Sequence, residues 1–358
     1  MRFARFFLLP LASTMLALGA CGGDPAPDGD SAEADPAPAP TLDIHRSHGA
    51  GAGAVNSYWL EGEDAILVFD VQSNPDLAAR VVERIEATGK PVETIIVSHY
   101  HPDHFGGLRV FLEAFPDAEF ATAESIAEQL AEDPLGYVEA LAEQAGEDET
   151  RAEDAGEVET SAEAADEEWE PLPEPDRLLV DNQQLSVSGV PVTVEIIASA
   201  ESSPILMLAV PGQKLLLASD MVSANVHPNL VDANIDSWPR ELERITRDFT
   251  GYRLYPGHGE PGPTNLLAAN QIAYLTFMRR LVTTEILDDE DDRATEGEIR
   301  DAITRIERNY PDWGDASGRP GYLRRNLEAL VRALGGEVER AAGRPPSEEE
   351  RMNAEARD

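Results

Sequence analysis

Short apolar runs closed by polar or glycine-bearing breaks alternate along this chain with longer stretches whose apolar positions recur every three or four residues. In VNSYWLEGEDAILVFD, residues 55–60 and 65–70 read as two strands split by an acidic turn. PDLAARVVERIEATGK then takes helical spacing, with Gly89 near its end, and TIIV at residues 94–97 is β-branched enough for a buried strand. Strand, helix, strand in that order is the parallel crossover of an α/β fold. FGGLRVFLEAF predicts the next helix, AEFAT a strand, and AESIAEQLAEDPLGYVEALAEQ one further helix. RLLVDNQQLSVSGVPVTVEIIAS predicts alternating strands turning at Gly189, and ILMLAVPGQKLLLASD a hairpin around Pro211 and Gly212. After His258 the period is helical in NLLAANQIAYLTFMRRLV, EGEIRDAITRIERNY and YLRRNLEALVRAL.

The TIIV strand leads into SHYHPDHFGG, which places His99, His101, Asp103 and His104 within six residues. Three imidazoles and a carboxylate so close together are costly in a core and make chemical sense around a metal. His99 and His101, two apart in an extended segment, point the same way and can hold one ion; Asp103 and His104 lie at the start of a helix and can reach a second. Gly106 and Gly107 free space where backbone passes close. Further along, Asp70 ends ILVFD, Asp220 ends KLLLASD, and His258 sits in YPGHG.

With these motifs in this order, the chain resembles the metallo-β-lactamase superfamily. The resemblance implies an α/β fold, an αββα sandwich of two mixed sheets flanked by helices, over residues 42–265. It also implies a hydrolase with two divalent ions, in which a metal-bound hydroxide attacks an ester, lactone, thioester or lactam-type bond; phosphoesters are handled by the same architecture. Asp220 would bridge the ions, His258 would complete the second position with Asp103 and His104, and Asp103 would take part in catalysis. Asp70 reads as a carboxylate supporting the ligands.

One position departs from the family pattern. The third histidine of the first metal position, about nineteen residues before the second aspartate, falls here on Glu201 in SAESSP. Glutamate is a competent donor, so the ligand set becomes His99, His101, Asp103, His104, Glu201, Asp220 and His258. A further carboxylate lowers the charge of the cluster and moves preference from zinc toward manganese or iron. His227, seven residues after Asp220, is a candidate for a ligand, a substrate contact or a proton donor. Two rival readings follow from the same residues: a mononuclear iron oxygenase on His99, His101 and Glu201, and a catalytically silent metal-binding lipoprotein. Trp238, Tyr252 and Tyr255 read as core.

Composition changes the picture at the edges. The chain carries 68 acidic and 28 basic residues, which disfavours nucleic acid and leaves a small-molecule substrate as the expected partner. Only Lys90 and Lys214 are lysines. The lone cysteine, Cys21, follows Arg2, Arg5, a short apolar run and LGA, the pattern of a signal peptide over residues 1–20 ending at a lipidated cysteine. The expected location is the bacterial cell envelope, facing the periplasm or exterior and touching the membrane through that lipid alone. A Pro- and acid-rich linker would fill residues 21–41. An acidic insertion occupies about 143–172; residues 132–176 hold 18 acidic residues against Arg151 alone. A helical extension would cover 266–340 and a polar tail 341–358.

Overall fold

The computed structural model describes residues 39–49, 54–134, 136, 172–287, 292–316 and 321–339. The expectations for the leader, Cys21, most of the linker, nearly all of the acidic insertion and the tail lie outside these residues.

The strands assemble into two mixed six-stranded sheets. The first runs β1 (Asp43–His48), β2 (Asn56–Glu61), β3 (Ile66–Phe69), β4 (Val92–Ile96), β5 (Glu119–Ala123) and β6 (Arg177–Leu179). Its first three strands are antiparallel and its last four parallel. Parallel pairing requires crossovers. α1 (Pro75–Glu86) supplies one; the single turn α2 (Pro102–Phe105) and α3 (Leu108–Ala114) supply the next, and α4 (Glu124–Glu132) follows β5.

The second sheet contains β7 (Gln184–Val187), β8 (Val190–Ile197), β9 (Ile205–Val210) and β10 (Leu215–Ala224) as an antiparallel run. After the two-residue strand β11 (Val226–His227) and helix α5 (Trp238–Asp248), β12 (Arg253–Gly259) returns parallel to β10, with β13 (Gly262–Pro263) at the edge. The remaining elements are α6 (Thr264–Glu285), β14 (Arg293–Ala294), α7 (Glu296–Asn309), β15 (Gly314–Asp315), α8 (Tyr322–Ala333) and β16 (Glu337–Val338).

Strand β9 explains the layering. All six of its residues are buried, and they alternate: Leu206, Leu208 and Val210 join an apolar cluster with the first sheet, while Ile205, Met207 and Ala209 join the core built with α5 to α8. A strand whose two faces are both apolar must be covered on both. Each fully buried aliphatic side chain contributes about 1.5–3 kcal/mol, so the pattern alone drives the second sheet between the first sheet and the C-terminal helices. The observed order of layers is helix, sheet, sheet, helix.

Three local expectations change. The helix after β5 stops at Glu132, where Asp133 takes φ +47° and Pro134 follows, a residue that disfavours helix in its predecessor. α5 is an element the apolar runs do not reveal: its buried positions are only Trp238, Leu242 and Ile245 in an otherwise charged segment. Asp220 lies inside β10, which runs on to Ala224, at an irregularity where the pairing with β12 shifts register on both sides of Ser219.

Candidate metal centre

The four histidines and three carboxylates come from separate elements that meet where the two sheets adjoin. His99 and His101 follow β4; Asp103 and His104 lie on α2; Glu201 is in the loop before β9; Asp220 is at the β10 irregularity and His258 near the end of β12. Among the bonds that join the sheets here, Leu206 N donates to Ser98 O at 2.8 Å, and the hydroxyls of Ser98 and Ser219 are 2.7 Å apart.

Donor atoms of His99, His101, Glu201 and Asp220 lie within 4.8 Å of one another, as do those of Asp103, His104 and His258. Asp220 also reaches the second group, with Oδ1 3.3 Å from His104 Nε2 and Oδ2 3.3 Å from His258 Nε2. It therefore stands between the two sets. His99 Nε2 is 2.9 Å from His101 Nδ1, which is 3.2 Å from Glu201 Oε1; Asp103 Oδ2 is 3.2 Å from His258 Nε2.

The backs of the imidazoles decide which nitrogen faces inward. His104 Nδ1 donates to Asp70 Oδ2 at 2.8 Å, His99 Nδ1 lies 2.9 Å from Ser98 Oγ, and His101 Nε2 donates to Asp232 Oδ2 at 3.0 Å. Ser98 Oγ in turn donates to Asp70 Oδ2 at 2.9 Å, so it accepts from His99. Each of these outer N–H groups thus has an acceptor, which leaves the inner nitrogen as the atom for which a proton and a cation compete. Inside, Nε2 of His104, both carboxylate oxygens of Glu201 and Oδ1 of Asp220 are buried without a hydrogen bond among the described residues. Orphaned polar atoms of this kind cost about 1–3 kcal/mol each. Seven N and O donors with such atoms facing one space fit divalent cations.

The charges agree. Burial would depress His104, but Asp220, Asp70 and Asp103 overcome it and hold the imidazole well above its ordinary value. Burial likewise opposes protonation of His258, yet Asp220 and Asp103 raise it to about 10. Burial pushes Glu201 up to about 8, with His101 offsetting only part. Burial would raise Asp220 too, but His258 and His104 outweigh it and take it well below the carboxylate range. Neighbouring charge outweighs burial at His104, His258 and Asp220, while burial prevails at Glu201.

Supporting residues hold the loops. Asp70, at φ +62°, also accepts from Ser98 N at 2.8 Å. Asn56 Nδ2 donates to the carbonyls of Pro256 (3.0 Å) and Gly259 (2.9 Å), and Tyr58 donates to Pro256 at 2.8 Å, clamping the turn that carries His258. Around Asp220 the irregularity leaves backbone groups unpaired in the ladder. Trp238 Nε1 donates to Met221 O at 3.0 Å, and Gln271 Oε1 accepts from Ser223 N at 3.1 Å. Gly106 and Gly107 are required by the β3–α1 connection, since a Cβ on them would stand 2.3 Å from Ser73 O and 2.2 Å from Val71 O.

A strap over residues 228–237 organises the Glu201 side. Asp232 and Asn229 both reach His101 Nε2, Asn234 N donates to Ala200 O at 2.7 Å, and Ser237 Oγ donates to Ser199 O at 2.7 Å. Asn326 of α8 ties the strap down, accepting from Leu230 N at 3.0 Å and donating to Pro228 O at 2.8 Å. Sequence reasoning missed Asp232, Asn229 and Asn326. The only signal was the polar density of HPNLVDAN, which also suits an ordinary loop.

His227 stands outside both donor groups. Its Nδ1 is 3.0 Å from the Tyr274 hydroxyl, its ring packs against Tyr274, Tyr310 and Trp313, and burial lowers it to about 4. Of the three roles open to it, ligand, substrate contact and proton donor, the ligand role is the one its place outside both donor groups disfavours.

Metallo-beta-lactamase type 2 of Bacteroides fragilis is 26% identical over 100 residues, 27% of this chain and 40% of that protein. The uncharacterized protein YobT of Bacillus subtilis (strain 168) is 30% identical over 70 residues, 20% of this chain and 30% of that protein. The matched part is thus less than half of either relative's length. A solved metallo-beta-lactamase from Pontibacter korlensis aligns at 16% identity with a TM-score of 0.48, covering 66% of this chain and 99% of that one. The sequence profile of the metallo-beta-lactamase superfamily matches residues 50–258, a span that includes all seven residues of the two donor groups. This chain belongs to the metallo-beta-lactamase superfamily.

Proposed function

We propose that this protein is a metal-dependent hydrolase that cleaves an acyl bond in a small molecule: an ester, lactone, thioester or lactam. The observation that carries the reading is the place of Asp220 between two complete donor sets. His99, His101 and Glu201 would hold one divalent ion and Asp103, His104 and His258 a second, with Asp220 shared. Zinc suits the imidazoles, and the oxygen donors also accommodate manganese or iron. When bound, such ions activate water at neutral pH and polarise a carbonyl. Asp103 has the most open carboxylate of the set, its side chain 25% exposed. In this reading it would orient the attacking water and take its proton, while the buried histidines would exclude solvent from the cage.

The mononuclear iron reading has one observation in its favour: His99, His101 and Glu201 form a two-histidine, one-carboxylate group. The second donor set has no purpose in it. We further propose that Cys21 carries a lipid and that the protein works in the bacterial cell envelope, facing the periplasm or exterior; the LGAC sequence supports this.

The test is turnover of a panel of esters, lactones, thioesters, lactams and phosphoesters by protein loaded with zinc, manganese or iron, beside Asp103→Asn. The expected result is hydrolysis of at least one acyl class with two metals per chain, abolished in the variant. One metal per chain with oxygen consumption would select the iron reading, and no turnover with any metal would select the silent one.

A further inference from the structure

Two successive residues of β10 face the metal centre, which a regular strand does not allow, since strand side chains alternate between faces. Leu217 packs with the first sheet, while Leu216, Ala218 and Val222 pack with the helical core, so regular alternation would send Asp220 into that core as well. Instead Ser219 reaches Ser98 and Asp70 of the first sheet, and Asp220 beside it reaches His104. Met221 then joins Val222 in the helical core. The alternation breaks at Ser219, whose φ is +45° and where the pairing with β12 shifts register on both sides. An irregularity of this kind re-aims the side chain that follows it.

Left-handed backbone costs any residue with a Cβ free energy that glycine would avoid. The hydroxyl gives a reason for serine. Ser219 is fully buried, and its Oγ lies 2.7 Å from Ser98 Oγ, 3.3 Å from Asp70 Oδ2 and 3.4 Å from His99 Nδ1. Ser98 has one hydroxyl proton, and it goes to Asp70 Oδ2. Ser219 therefore donates to Ser98, whose two lone pairs are taken by Ser219 and by the His99 Nδ1–H at 2.9 Å. Asp70 Oδ2 also accepts from His104 Nδ1 at 2.8 Å. Ser98 and Asp70 thus back a ligand of each donor set, and among the described residues Ser219 is the only side chain of the second sheet bonded to them.

We propose that Ser219 is a positioning residue for both donor sets: its left-handed backbone brings Asp220 to the cage, and its hydroxyl, through Ser98 and Asp70, holds His99 and His104 in the orientation that Asp220 requires. The bonds of the hydroxyl offset the cost of the conformation. Ser219 has this role only if the seven donors hold metal, whether or not the centre hydrolyses anything.

Cobalt(II) serves as the probe, because its d–d spectrum reports ligand geometry as well as occupancy. Its affinity for the full chain is measured by competition with a chromogenic chelator, beside thermal melting of the metal-free chain. Ser219→Ala removes the hydroxyl and keeps the Cβ; Ser219→Gly removes both. Cobalt affinity should fall about tenfold in each, the lower end of what loss of a ligand's outer partner costs, with the same change in the cobalt spectrum. The Tm of Ser219→Gly should nevertheless exceed that of Ser219→Ala by about 2–4 °C, because glycine adopts the left-handed backbone freely. Since Ser219 acts through Ser98, adding Ser219→Ala to Ser98→Ala should cost about twofold or less. Wild-type affinity or an unchanged spectrum in either variant overturns the role of the hydroxyl. A Tm for Ser219→Gly no higher than for Ser219→Ala overturns that of the backbone, and a full tenfold loss in the Ser98→Ala background overturns the route through Ser98. A wild type that takes up no cobalt removes the metal centre and this role with it, whereas cobalt binding indifferent to the substitutions removes the role of Ser219 alone.

Discussion

A Cβ atom on Gly257 would stand 1.7 Å from Oδ1 of Asp220, the carboxylate shared between the two donor sets. Glycine here leaves the space the carboxylate fills. Gly257→Ala must therefore push Asp220 aside or move the turn that carries His258. We expect destabilisation of about 1–3 kcal/mol together with loss of bound metal, read by thermal melting and by metal content after dialysis. Retention of both would mean that Asp220 takes another position.

Glu201 provides a direct comparison of donors. Glu201→Gln keeps the size of the side chain and removes its charge, and metal affinity should fall about tenfold or more. Glu201→His restores the donor type usual at this position in the superfamily and should retain metal, with zinc favoured over manganese. Competition with a chromogenic chelator measures both. Equal affinity in wild type and Glu201→Gln would show that Glu201 is not a ligand.

Asn326 is fully buried and satisfies two backbone groups of the strap. In Asn326→Ala the Leu230 N–H and Pro228 carbonyl lose their partners, which should cost about 2–5 kcal/mol. Because the strap carries Asp232 to His101, metal affinity should weaken as well, although Asn326 bonds to the strap backbone rather than to the cage. Denaturant melts and metal titration follow the two effects.

His227 supplies a pH dependence with a definite sign. Burial lowers its pKa to about 4 from 6.5. The folded state therefore favours the neutral ring: the stabilisation is complete above about pH 6.5 and is lost as pH falls toward about 4, where the unfolded chain binds the proton more readily. His227→Gln does not titrate, so the stability gap between wild type and variant should shift in the variant's favour across that window. Melting temperatures at intervals from pH 7 to about pH 4 would check it. A constant gap would show that the ring is solvated.

The residues that coordinate were legible because metal chemistry restricts donors to a few residue types, and because strand ends place those donors at intervals a reader can count. His99, His101, Asp103 and His104 are local in sequence, so their grouping needed little tertiary information. The strand, helix, strand order over residues 65–97 was likewise local. Less visible was α5, whose apolar stripe is three residues wide, and so was the passage of β10 through Asp220 rather than its end there. A register shift leaves no periodic trace in one strand, since it depends on the partner.

From the sequence alone come the donor inventory, the strand and helix periods and the superfamily pattern with its glutamate, because each depends on side-chain chemistry or on spacing along one segment. Only the folded chain decides that Asp220 serves both donor groups, that Asp70, Ser98 and Asp232 choose which imidazole nitrogen faces inward, and that α8 brings Asn326 to the strap that reaches His101. Those relationships join residues far apart in the chain, and distance in space between such residues is set by packing of whole layers, which no local period encodes.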